Sequence, residues 1–301
     1  MLSFVFQERT ENMFENEPIM TAIITPFTDD DQIDFDALDK LADRLIHEHT
    51  NGFVVGATTG EAPTLTHDEK IALFQHFTKH VAGRASVVAN VGTNSTAASV
   101  AFAKEVSAIS GVDAVLAVNP FYNKPSQAGM VAHFEAIADA SAVPVIIYNI
   151  PGRTVVKLDN DTLVQLAKYP NIGGVKQCTT VDDLAYLVQH TPDDFAVYTG
   201  EDGQTLGAIK SGARGVISVA SHLYGERMYQ MITDYQAGKT DVAQETMDWL
   251  LPRMDALFAY PSPEPVKMAL AKRGEIKNNL RLPMIPLNDA ETQHVLSVLE
   301  G

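Results

Sequence analysis

The chain is predicted to fold as a single (β/α)8 TIM barrel followed by a small helical C-terminal appendage. Three observations lead there. Eight short apolar runs, rich in Val and Ile, recur along the chain: 19–25, 52–57, 85–91, 112–118, 143–150, 172–176, 195–200 and 215–220. They lack polar alternation, as strands buried on both faces of a parallel sheet do. Amphipathic segments separate them, and eight β-then-α units within about 220 residues favour a closed barrel over an open doubly wound sheet. The G-x-G-x-x-G fingerprint of a dinucleotide-binding open sheet is absent after the first run.

The intervening segments read as helices for local reasons. In 35–49, Phe35, Leu38, Leu41, Leu45 and Ile46 fall on one stripe. In 66–83, Thr66 and Glu69 have capping-box spacing, and Gly83 follows the last turn. The segment from Ser126 opens on a serine and closes before Pro144. Beyond the eighth run, apolar patterns at 247–260 and near 264–273 and 289–299 predict further helices. The domain reading is therefore an N-terminal extension at 1–17, a catalytic barrel at 18–235 and a helical region at 236–301.

Composition narrows the function. The chain has 301 residues and a formal net charge of -16. That acidity argues against nucleic acid and anionic membrane as partners, since both require a basic face. No run is long and apolar enough for a spanning helix. The N-terminus does not read as a signal peptide. A single cysteine, Cys178, allows no internal disulfide and suits a reducing cytoplasm. His76 and His80, four apart, form a possible metal pair, but they lack a neighbouring third ligand and read as a solvated helix face. Cys178 reads as a packing residue, and "TGEDG" (199–203) as loop. No metal or organic cofactor is expected.

In a barrel of this kind, chemistry sits at the C-terminal ends of the strands. The sixth run ends on Lys176, within "GVKQ". A lysine amine is nucleophilic only when neutral, and desolvation in an apolar pocket lowers its pKa toward the working range. It can then form a Schiff base with a ketone. The bland alternative is a strand-end lysine reaching water. The surroundings favour chemistry: the fifth run ends at Tyr148, the second at Thr58 and Thr59, and the turn "PGRT" carries Arg153, a fork suited to a carboxylate.

The motifs "ITPF", "TTGEAPTLTHDEK", "FYNKPSQAGMVAHFEAIADA", "YNIPGRT", "GVK", "GVISVAS", "PSPEPVK" and "LRLP" stand in an order and spacing that resemble the dihydrodipicolinate synthase family, within the N-acetylneuraminate lyase superfamily. The likeness runs from about Ile19 to the C-terminus. It implies that Lys176 forms a Schiff base with pyruvate. The enamine then attacks the aldehyde of L-aspartate-4-semialdehyde, and cyclisation and water loss follow. It also implies a proton relay of Tyr148, Thr58 and Tyr122, with Tyr122 reaching in from a neighbouring subunit, so the working form is a homodimer or homotetramer. Thr59 matches the position that holds the pyruvate carboxylate, and Arg153 the one that binds the semialdehyde's carboxylate. Gly200 and Ile217 match backbone positions lining the pyruvate pocket.

Arg153 and the paired threonines set the chain apart from sialic-acid lyases, which it resembles at "YNIP" and at the lysine. Gln177 points the other way, because many synthases carry glutamate there. A lyase for another 2-keto acid and a catalytically silent metabolite-binding barrel are the alternatives. Many relatives are inhibited by L-lysine at a subunit cleft. At the matching positions this chain keeps His67 and Asn94, but it has Ala98 for glutamate, Lys70 for histidine, Phe121 for tyrosine and Ala62 for serine. Losing an anion and gaining a cation opposes a ligand ammonium. Weak or absent lysine inhibition is therefore expected.

Overall fold

The computed structural model describes residues 14–301. Eight strands follow chain order in one closed parallel barrel: β1 (Ile19–Ala22), β2 (Gly52–Val55), β3 (Ser86–Asn90), β4 (Ala114–Val118), β5 (Val145–Asn149), β6 (Ile172–Gln177), β7 (Ala196–Thr199) and β8 (Gly215–Ser218). Each coincides with a predicted apolar run. Nearly every strand residue is buried, which is why the runs show no alternation. The helices are α1 (Phe35–His47), α2 (His67–Val81), α3 (Thr96–Val106), α4 (Gln127–Ala140), α5 (Asn160–Leu166), α6 (Val181–His190), α7 (Thr205–Lys210), α8 (Ser221–Gln236), α9 (Thr240–Ala256), α10 (Glu264–Lys272) and α11 (Asp289–Leu299).

The chain divides into two compact units. The first holds residues 86–217 together with the described residues up to Pro18. Its strands run in parallel register, with Tyr148 opposite Lys176 and Gln177 opposite Thr199. The end of the predicted N-terminal extension is structured here. Phe14 is buried edge-on against the ring of Tyr198, whose hydroxyl donates to the Glu17 carbonyl at 3.0 Å. The remainder of that extension, 1–13, lies outside the described residues.

The second unit holds 19–85 and 218–301. β1 pairs with β2, Thr21 opposite Phe53. The capping box of α2 forms as its spacing predicts: the Thr66 hydroxyl accepts from Glu69 N, and the Glu69 carboxylate from Thr66 N. A second box, Asn288 with Glu291, starts α11. The predicted C-terminal helices form. Ala256, Met268, Leu287 and Val295 build a small core among α9, α10 and α11.

Candidate active site

In the first unit, β6 delivers Lys176 to its C-terminal end with only 5% of its surface exposed. The ammonium nitrogen lies 4.5 Å from the centre of the Tyr148 ring. A lysine reaching water would not be buried against a phenol, so the bland reading of this residue fails. Gly200, just past β7, packs directly on the Lys176 stem. A Cβ built there would stand 2.6 Å from Lys176 Cε and 3.0 Å from Cγ, and would overlap the Cys178 sulfur. Only a glycine leaves room for the lysine and the thiol together. Ile217 is buried on β8, beyond the β7–β8 pair Thr199–Val216.

The electrostatics differ from expectation. Burial does oppose the Lys176 ammonium, but Tyr148, Cys178, Asp202 and Glu201 outweigh it, and the amine sits above its ordinary value. Desolvation alone therefore does not deliver a neutral nucleophile. The phenol and thiol hold the proton only when they are ionised, and burial pushes the Cys178 thiol up to about 12. Glu201 is itself raised, first by burial, with Cys178, Lys176 and Arg153 acting against that rise. The "TGEDG" carboxylates, read from sequence as plain loop, thus belong to the electrostatic surroundings of the lysine. Nothing in the local sequence marks them. Only the chain path past Gly200 brings them near.

Arg153 is exposed on the short helical turn Pro151–Thr154, and it influences both Cys178 and Glu201. Tyr122, on the loop after β4, is 86% exposed and holds a left-handed backbone at φ 75°. It is not packed into its own chain's lysine surroundings. Gln177 acquires a role the sequence did not reveal. Its oxygen accepts from Asn149 Nδ2 at 2.9 Å, and its amide donates to Thr179 at 2.9 Å. Asn149 in turn accepts from Asn119 at 2.7 Å. This buried amide chain ties the ends of β4, β5 and β6 together, so Gln177 serves as a strut beside Lys176.

In the second unit, Thr58 is half-buried and Thr59 buried in the loop after β2. The Thr58 carbonyl accepts from Glu61 N at 3.1 Å, and the Gly60 carbonyl accepts the Thr25 hydroxyl at 2.8 Å. Of the feedback-cleft positions, Ala62 is buried and His67 exposed in this unit. Lys70 is half-buried and held below its ordinary value by desolvation. In the first unit, the Asn94 carbonyl accepts from Asn123 at 3.1 Å, Ala98 is exposed on α3 and Phe121 is partly exposed. His76 and His80 bond Asp39 and Asp43 of α1 at 2.8 and 2.9 Å. Among the described residues no group of three or more His, Cys, Asp or Glu could hold a metal ion. None of the described helices is long and apolar enough to cross a membrane.

A parallel eight-stranded barrel with a buried lysine at a strand's C-terminal end defines a barrel enzyme of the lyase class. The model of the dihydrodipicolinate synthetase family matches residues 15–301, and the chain belongs to that family. It is similar to the 4-hydroxy-tetrahydrodipicolinate synthase of Limosilactobacillus reuteri, 50% identical over 287 residues, covering 95% of this chain and 94% of that one. Among solved structures, a dihydrodipicolinate synthase from Bacillus anthracis superposes with TM-score 0.93 at 44% identity, over 96% of this chain and 99% of the other. The chloride-inhibited enzyme from Acinetobacter baumannii, complexed with pyruvate, superposes with TM-score 0.91 at 35% identity, over 95% and 98%.

Proposed function

We propose that the chain condenses pyruvate with L-aspartate-4-semialdehyde to 4-hydroxy-tetrahydrodipicolinate through a Schiff base on Lys176. The observation that carries the reading is the buried Lys176 amine over the Tyr148 ring. The neutral amine attacks the pyruvate ketone, and loss of water leaves an imine. Loss of a methyl proton turns the imine into an enamine, so the lysine serves as electron sink without metal or organic cofactor. The enamine carbon bonds to the semialdehyde's aldehyde carbon. Ring closure by the semialdehyde's own amine then frees Lys176. Tyr148, Thr58 and Tyr122 move the protons, Thr59 holds the pyruvate carboxylate, and Gly200 and Ile217 line the pocket. Arg153 binds the semialdehyde's carboxylate. The A. baumannii relative's complex with pyruvate supports the first substrate.

Tyr122's exposure suits a residue donated to a second copy, so the working form in this reading is a homodimer or homotetramer in the cytoplasm. The barrel, from 18 to 235, carries the catalytic residues.

Borohydride reduction in the presence of pyruvate tests the mechanism. A pyruvyl adduct on Lys176, located by mass spectrometry and lost in Lys176→Ala, is expected; absence of the adduct would leave only a binding protein. Replacing Arg153 should raise the semialdehyde KM, and an unchanged KM would favour a different 2-keto-acid aldolase. L-Lysine should inhibit weakly or not at all, because Ala98 provides no carboxylate and Lys70 adds a cation. An inhibition constant below about 1 mM would refute that part.

A further inference from the structure

Glu61 follows Thr58, Thr59 and Gly60 directly, and its backbone is left-handed at φ 55° and ψ 37°. For a residue with a Cβ this conformation is strained, and it persists only where the surroundings over-determine it. The surroundings here come from the far end of the sequence. The Glu61 carboxylate is almost wholly buried and makes a close ion pair with Lys267 of α10, whose side chain has no exposed surface. Its second oxygen accepts from Arg281 N at 3.0 Å. Lys267 also donates to the Asn279 carbonyl at 2.9 Å and lies 4.3 Å over the Phe27 ring.

Arg281 grips the rest of the same loop. Its guanidinium donates to the Thr64 carbonyl at 3.1 Å and to both oxygens of Glu69 at 2.9 and 2.7 Å. A buried ion pair adds little net stability over an apolar pair of equal volume. Placing one at the root of a hydroxyl-bearing loop, on a strained residue, is explained better by positioning.

We infer that Glu61 and Lys267 are positioning residues for Thr58 and Thr59, with the C-terminal helical region acting as the clamp that sets the pyruvate-binding loop. The inference rests on the function proposed above for those threonines. Glu61 fixes the loop through three of its groups: its N–H on the Thr58 carbonyl, its carbonyl on Thr64 N, and its carboxylate on Lys267 and Arg281. Removing the ion pair frees the carboxylate anchor, and the loop loses its one defined arrangement.

The test uses Lys267→Met and the paired variant Glu61→Gln with Lys267→Met. The paired variant leaves no uncompensated buried charge, so it is the one expected to keep the fold by circular dichroism and thermal melting. Arg44→Gln serves as a control for general destabilisation. Arg44 ties Glu48, Glu275 and the His222 carbonyl elsewhere in the same unit.

Three dependences are measured: borohydride trapping against pyruvate concentration, kcat, and KM for the semialdehyde. In the folded paired variant the pyruvate requirement should rise at least ~10-fold and kcat should fall, since a shift of about 1 Å in a substrate-holding group costs ~10²-fold. The semialdehyde KM should stay near the wild-type value, because Arg153 is not on this loop. A folded paired variant with wild-type pyruvate dependence would overturn the inference. So would equal losses toward both substrates, or the same pyruvate shift in Arg44→Gln. If the wild-type chain yields no Lys176 adduct, the functional reading itself has failed, and that result is separate from the others.

Discussion

Gly200→Ala isolates what a glycine does beside Lys176, the nucleophile of the proposed reaction. The added methyl would meet Lys176 Cε at 2.6 Å and Cγ at 3.0 Å, and would overlap the Cys178 sulfur. Carbon atoms rest at about 3.5–4.0 Å, so the lysine stem must retreat by roughly 1 Å or the β7 end must move by as much. The Gly200 amide is tied to the Gln177 carbonyl at 2.9 Å, and Gln177 to Asn149, so the strand end is the less yielding of the two. The lysine is displaced. A 1 Å misplacement of a reacting group costs ~10²-fold, or about 2.7 kcal/mol of barrier at 1.36 kcal/mol per decade. Trapping of pyruvate by borohydride and steady-state condensation should both fall by about that factor. Adding Cys178→Ala removes the sulfur overlap but leaves both lysine contacts. The double variant should regain thermal stability without regaining rate. A Gly200→Ala enzyme that traps pyruvate at the wild-type rate would refute the argument.

The Lys176 ammonium sits above its ordinary value, so the neutral amine is a minor species near pH 7. The trapping rate at fixed pyruvate should therefore climb through pH 7 to 9, approaching about tenfold per pH unit, and a flat profile would contradict this. His222 has no exposed surface: its Nε2 accepts from Ile24 N at 3.2 Å, and its Nδ1 donates to the Val219 carbonyl at 2.8 Å. Burial chiefly holds it down at about 4, from 6.5. The unfolded chain takes up this proton first as pH falls, so stability present above pH 6.5 is lost toward pH 4, by about 3 kcal/mol. Urea melts of wild type and His222→Gln should converge across that window. Glu17 behaves oppositely. Burial raises it to about 7, against the Ser86 hydroxyl that donates to it at 2.5 Å. Its contribution is full below pH 4.5 and lost as pH rises through 7, so Glu17→Gln should flatten that part of the stability profile.

Much of the barrel was legible because burial on both faces writes a local signal. "VPVIIYNI" and "IGGVK" can hardly be anything but interior strands, and the capping box at Thr66 needs only four residues. Strand ends are equally local, so Lys176 and Tyr148 could be put at the ends of the sixth and fifth runs, and Thr58 and Thr59 just past the second, from neighbouring residues alone. Other properties depend on groups distant in the chain. Desolvation predicted a depressed lysine, and Tyr148, Cys178, Asp202 and Glu201, brought around it by the fold, reversed that sign. Gln177 looked anomalous beside Lys176 until Asn149 and Asn119 supplied its place in a buried amide chain. Phe14 to Glu17 read as extension and proved packed on Tyr198. Glu61 and Lys267 stand 206 residues apart and share one buried ion pair. Periodicity, caps and strand ends are properties of neighbours in the chain, and the sequence alone determined them. The charge state of the lysine and the anchoring of the threonine loop are sums over groups that meet only in space, so only the tertiary structure could decide them.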